Sequence, residues 1–254
     1  MIIRMLGTGY GECKLKKKIS KEFRGSGGVI IDESLLIDAP DDIFDIAETL
    51  GFPDIFKKIT NVIITHSHPG HFSPRAVNRL ALKRNISVYA TRAVLDMLPE
   101  NENLKKTEIS PLMRFKANDI DIIALPSNHK TDNITEKCLN FILTKDKTVF
   151  YGLDGGFINE SAFNVLSQIK LDAAILEVAL SDDLPSSALL THNDIEAAAR
   201  MKAAFDGDGI SHEKTRFILT HIPTDKKRDI HSELSETVSR LGMTLAYDGY
   251  FARI

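Results

Sequence analysis

Three histidines fall within six residues, in Thr65-His66-Ser67-His68-Pro69-Gly70-His71, directly after the strand-like run Asn61-Val62-Ile63-Ile64. That run is short, rich in β-branched residues and flanked by turn formers, so it reads as a buried strand. The histidines therefore stand where a strand ends and a loop begins, which in layered α/β folds is where ligands bind. Imidazole is the commonest neutral metal ligand among side chains. His66 and His68 are two apart, so extended backbone points both to one side, and the turn at Pro69-Gly70 brings His71 in from another direction. Against a reading as three unrelated solvated side chains stands their density, since the chain has eight histidines in 254 residues.

This length suffices for a large core, and one domain spanning residues 1–254 is the expectation. Charged residues make up 26% and hydrophobic ones 43%, ordinary values for a globular chain, and the net charge of −3 gives no overall pull towards nucleic acid or anionic membrane. Cys13 and Cys138 form no CxxC spacing, which argues against a disulfide framework or a cysteine zinc site and suits a reducing compartment. No apolar run is long enough for a signal peptide or a bilayer span, so a cytoplasmic protein is expected.

Strands are expected over 2–6, 29–32, 35–39, 61–64, 86–90, two between 112 and 125, 138–144, 148–153, 173–180, 216–220 and 243–251. Helical spacing marks 41–50, 74–83, 160–170, 192–205 and 231–241, with Thr191 or Asn193 as the cap of the fourth of these helices. Strand-rich runs alternate with helices in two broadly similar halves, as in a layered α/β fold. A basic stretch holds Lys14, Lys16, Lys17, Lys18, Lys21 and Arg24; such a run is ordinarily a solvated loop, with attraction of an anionic substrate as its functional reading.

Polar residues recur where other apolar runs end: His129 after 119–125, Asp154 after 150–153, His221 after 217–220. Any one of them is unremarkable alone. Together with the first cluster they make five histidines and one aspartate at strand ends, a donor set suited to zinc, iron, nickel or manganese.

These residues resemble the signature of the metallo-β-lactamase superfamily, His-x-His-x-Asp-His after a buried strand, then a lone His, a shared Asp and a final His. His66, His68 and His71 match it, with Gly70 in place of its Asp; His129, Asp154 and His221 follow in order, and Asp38 matches a supporting Asp on an earlier strand. The resemblance implies a four-layer αββα sandwich with a dimetal site. Within the superfamily the likeness is to the phosphodiesterase branch, which includes phosphoribosyl cyclic phosphate phosphodiesterase, coenzyme PQQ protein B and RNase Z. It is carried by Leu6-Gly7-Thr8-Gly9, by Arg24-Gly25-Ser26-Gly27-Gly28 and by Leu190-Thr191-His192-Asn193-Asp194. The cysteine-rich zinc loop of the cyclic phosphodiesterase is absent, which separates this chain from it; the tRNA-gripping arm of RNase Z is missing too and the chain is slightly acidic, which disfavours duplex-sized RNA as substrate.

What the resemblance implies is a metal-dependent hydrolase, a phosphodiesterase that cleaves a small phosphate ester, cyclic esters included, with a metal-activated hydroxide. His66, His68 and His129 would hold one divalent ion; His71 and His221 would hold another, with Asp154 shared and catalytic. His192 would assist the leaving group, Asp38 would orient a ligand imidazole, and the family likeness suggests a homodimer. The alternatives are hydrolysis of a carbon ester, thioester or lactam, and a non-catalytic metal-binding member, the latter motivated by Gly70. Gly70 also predicts a weaker second metal site, which Gly70→Asp should tighten unless the new side chain clashes; Asp132 is a candidate replacement carboxylate.

Overall fold

The computed structural model describes residues 1–11, 24–179, 186–223 and 230–254. Of the basic stretch only Arg24 lies among them; Lys14, Lys16, Lys17, Lys18 and Lys21 lie outside the described residues. The chain divides into two compact units, Met1–Ser110 with Thr131–Lys137 and Tyr247–Arg253, and Pro111–Lys130 with Cys138–Ala246 and Ile254.

The first unit is built on β1 (Ile2–Gly7), β2 (Gly28–Ile31), β3 (Leu35–Ile37), β4 (Asn61–Ile63), β5 (Ile86–Ala90), β6 (Leu104–Glu108) and the last strand, β14 (Phe251–Arg253). Their order in the sheet is β14-β1-β2-β3-β4-β5-β6, antiparallel as far as β3 and parallel from β3 to β6. The helices α1 (Ile43–Thr49), α2 (Pro74–Leu80) and α3 (Arg92–Leu95) fill the crossovers. Ile43, Ile46, Val77, Leu80 and Val94 bury their side chains in one cluster with Leu36, Val62 and Val88 of the strands. Helix α2 starts where Pro74 is pre-set for the first turn and the Ser73 hydroxyl accepts from Ala76 N–H.

The second unit repeats the plan with β7 (Arg114–Ala117), β8 (Ile120–Pro126), β9 (Leu139–Thr144), β10 (Thr148–Gly152), β11 (Ala173–Glu177), β12 (Arg216–Thr220) and β13 (Thr244–Leu245). The order is β13-β12-β11-β10-β9-β8-β7, antiparallel from β7 to β10 and parallel beyond. Helices α4 (Glu160–Leu166), α5 (Ile195–Gly207) and α6 (Ile230–Arg240) belong to this unit. Leu166, Ala198, Phe205 and Val238 pack in one cluster with Phe150, Leu176 and Leu219.

Three sequence expectations change. Helix α5 is capped by Asp194, whose side chain accepts from Ala197 N–H at 2.6 Å, rather than by Thr191 or Asn193. The expected strand over 243–251 is two strands in different sheets, broken by the turn in which Tyr250 N–H donates to the Tyr247 carbonyl and Gly249 takes φ +83°. Both β6 and α3 are additions: β6 buries only Leu104 and so shows no apolar period, and α3 is a single turn.

Candidate metal centre and hydrolytic site

In the first unit Asp38 and the histidine loop follow β3 and β4, which are neighbouring parallel strands, so their carboxyl ends bring these residues together. Asp38 N–H donates to the Ile63 carbonyl at 2.9 Å. The Asp38 carboxylate is fully buried, accepts from Thr65 N–H at 2.9 Å and from Thr65 Oγ1 at 3.0 Å, and lies 2.8 Å from His71 Nδ1. That last bond fixes the His71 tautomer, with Nδ1 as donor and Nε2 carrying the lone pair. Thr65 Oγ1, having given its proton to Asp38, accepts at 2.9 Å from His66 Nδ1, which fixes the same tautomer there. His66 Nε2 then stands 3.2 Å from His68 Nδ1. Two nitrogens on one tetrahedral zinc ion are about 3.3 Å apart, given bonds of about 2.05 Å. The donor chemistry and the spacing both fit a divalent ion.

Ser67, between His66 and His68, donates to Glu136 Oε2, which also accepts from Thr131 Oγ1 at 2.7 Å. Glu136 is buried, whereas Asp132, the carboxylate expected near Gly70, is exposed. The sequence gives no signal for Glu136, because its neighbours Lys130, Asp132 and Lys137 make the whole segment look solvated.

In the second unit β10, β11 and β12 are parallel neighbours, and β8 runs in the same direction as β10, so His129, Asp154, Glu177 and His221 all follow carboxyl ends on one edge. Asp154 Oδ1 lies 3.1 Å from His221 Nε2 and 3.2 Å from His192 Nδ1. The His129 and His192 rings meet edge to face with centroids 4.8 Å apart. One ligand atom from each of His129, Asp154 and His192 falls within 4.8 Å of the others, a second grouping able to hold an ion. Burial would lower the His192 pKa, but the Asp154 and Glu177 carboxylates beside Nδ1 outweigh it and raise it to about 10.

Glu177 is the residue here that the sequence hides, since it lies inside an apolar run with no turn signal beside it. Its side chain is fully buried; Oε1 accepts from Gly155 and Gly156 N–H at 2.8 and 3.0 Å, and Oε2 lies 2.8 Å from His192 Nδ1. It thus holds both the strap after Asp154 and the His192 ring. Asp38, Asp154 and His221 all adopt positive φ, at 63°, 49° and 58°, in a region that residues with a Cβ usually avoid. Such backbone at three strand ends marks places where the fold holds a side chain against local preference.

The sequence-singled segments Leu6-Gly7-Thr8-Gly9 and Arg24-Gly25-Ser26-Gly27-Gly28 meet each other in the first unit. Gly9 N–H donates to the Gly25 carbonyl, and buried Arg24 donates to Thr8 Oγ1, both at 2.8 Å. A Cβ on Gly7 would stand 1.8 Å from the Ser26 carbonyl oxygen, so glycine is required there for close backbone approach.

The family model of the beta-lactamase superfamily domain matches residues 34–222, most of the chain and all of these histidines. The chain belongs to the metallo-β-lactamase superfamily. Solved structures share its fold over nearly the full length. The metallo-beta-lactamase fold protein YhfI from Bacillus subtilis is 18% identical with a TM-score of 0.73, covering 99% of this chain and 98% of its own. A diphosphatase from the PhnP family is 19% identical with a TM-score of 0.70, covering 99% and 96%. Human tRNase Z, short form, is 17% identical with a TM-score of 0.69, covering 100% and 99%. A search of curated proteins by sequence finds no match. Among the described residues no helix is long and apolar enough to cross a membrane.

Proposed function

We propose that this protein is a metal-dependent hydrolase of the phosphodiesterase branch, acting on a small phosphate ester. The observation that carries the reading is the Asp154 carboxylate between His192 and His221, with Glu177 fixing the strap and ring beside it. A buried carboxylate shared by two imidazoles at strand ends suits cations and an anionic substrate better than it suits packing. The similar folds of a PhnP-family diphosphatase and of human tRNase Z support phosphoester chemistry.

In this reading residues 1–254 act as one domain. His66, His68 and His129 would hold the first ion; His71 and His221 would hold the second, and Asp154 would serve both. Such ions supply Lewis acidity and activate water. Asp38 holds the His71 ring, and Thr65 the His66 ring, in the tautomers that ligation needs. With Nδ1 engaged by Glu177 and Asp154, His192 delivers a proton to the leaving oxygen from Nε2.

The test is elemental analysis of protein purified without chelator, paired with turnover of bis(p-nitrophenyl) phosphate against a panel of lactones and thioesters. Bound divalent metal with phosphodiester turnover alone is the expected result. Turnover of the carbon esters alone replaces the substrate class, and absence of bound metal after loading with zinc removes the reading.

A further inference from the structure

Gly70 is where this chain departs from the histidine signature of its family, and the space around it shows what has taken the place of the aspartate. Its φ is not left-handed, so the backbone would accept a side chain; the obstacle is volume. A Cβ at Gly70 would lie 2.8 Å from both the carbonyl carbon and oxygen of Gly11 and 3.0 Å from its Cα. These are backbone atoms, so no rotamer change relieves the clash. Gly11 is a glycine for a different reason: it adopts φ +72° with open space around its own Cβ position. Two glycines thus let the backbone after β1 touch the backbone of the histidine loop. The approaching segment is pinned from behind, since Thr8 N–H donates to Asp248 Oδ1 and Gly9 N–H to the Gly25 carbonyl, both at 2.8 Å.

We infer that the Gly11 backbone occupies the volume in which the family keeps its aspartate, so that the protein holds one divalent ion tightly and the position at His71 cannot regain a carboxylate from residue 70. This rests on the metal-dependent reading above. The clash that the sequence expectation for Gly70→Asp set apart as its exception is the case that applies: the new side chain must first displace Gly11.

The experiment loads metal-free parent, Gly70→Ala and Gly70→Asp proteins with zinc and with manganese. It reads stoichiometry by calorimetry and elemental analysis, the melting temperature without metal, and amide hydrogen exchange at Thr8 and Gly9, whose N–H groups pin the approaching segment. The parent should bind one zinc per chain, with any second at least about tenfold weaker, a gap of about 1.4 kcal/mol. Both variants should melt lower and exchange several-fold faster at those two amides, since both carry a Cβ, and Gly70→Asp should gain no second tight ion. Two equal tight sites in the parent, or a second tight ion in Gly70→Asp, would overturn the inference. If the parent binds no zinc, the metal reading fails, while Gly70→Ala exchange at the parental rate would separately refute the Gly11 contact.

Discussion

Glu177 Oε2 stands 2.8 Å from His192 Nδ1 while its other oxygen holds Gly155 and Gly156, so one buried carboxylate sets the positions of a histidine and of the strap that follows Asp154. Glu177→Gln keeps the size and an acceptor but removes the charge. Turnover should fall by about 10–100-fold, the usual cost of losing a partner behind a ligand or catalytic group. Ring-proton NMR on metal-free protein should show the His192 pKa below its parental value of about 10. An unchanged pKa would dismiss the coupling. The sign also fixes a stability window: a histidine raised from 6.5 stabilises the metal-free fold fully below that pH, and the contribution is lost as pH rises through about 10.

His192→Ala should leave metal content intact and slow turnover by about 10²–10⁴-fold, the range for a general acid. The loss should shrink with an activated leaving group. Parental rates on a poor leaving group would rule the role out.

His68→Ala should lower bound zinc and, with it, the melting temperature of metal-loaded protein, because an ion that binds only the folded state stabilises it. Equal melting shifts on adding zinc to parent and variant would take His68 out of the ligand set.

Glu136→Ala removes the acceptor of Ser67 and Thr131 next to the proposed ligands His66 and His68. Denaturant unfolding should show a cost of about 1–3 kcal/mol for the stranded hydroxyls. Zinc affinity should drop with it, and Glu136→Gln should recover most of the stability.

Much of this arrangement is legible in the sequence because His66, Asp154 and His221 each stand within two residues of a run of buried aliphatics. Strand β5 lies over 86–90 as its alternation predicts. What stays hidden has a physical reason in each case. Glu177 continues an apolar run without a turn signal, and only the fold shows that its carboxylate meets two backbone N–H groups. Strand β6 is an edge that buries Leu104 alone, so no period marks it. The break in 243–251 is signalled by Asp248-Gly249, a turn pair that outweighs the aliphatic and aromatic residues around it.

Asp248 gives a pH-dependent test of the first unit. Burial pushes its carboxyl up to about 6, against the opposing hydrogen bonds from Gly25 and Thr8 and the charge of Arg24. A folded value above the ordinary 3.8 means that the native state holds the proton more tightly. Its stabilising contribution is therefore present below 3.8 and lost as pH rises through about 6. Asp248→Asn should flatten the stability profile across that interval, measured by urea unfolding at successive pH values. A profile parallel to the parent would show that Asp248 does not titrate there.

Ile2 pairs with Arg253, and Asp248 ties down Thr8 and Gly25. Strand β1 therefore closes against a strand made long after it. Until β14 emerges, β1 keeps an edge of open hydrogen-bonding groups and the Gly9 segment lacks its Asp248 anchor. Domains ordinarily fold as they are made, amino end first. Here the first unit cannot complete its sheet before the second has been made, so a nascent chain stalled ahead of β14 should remain sensitive to protease in the first unit.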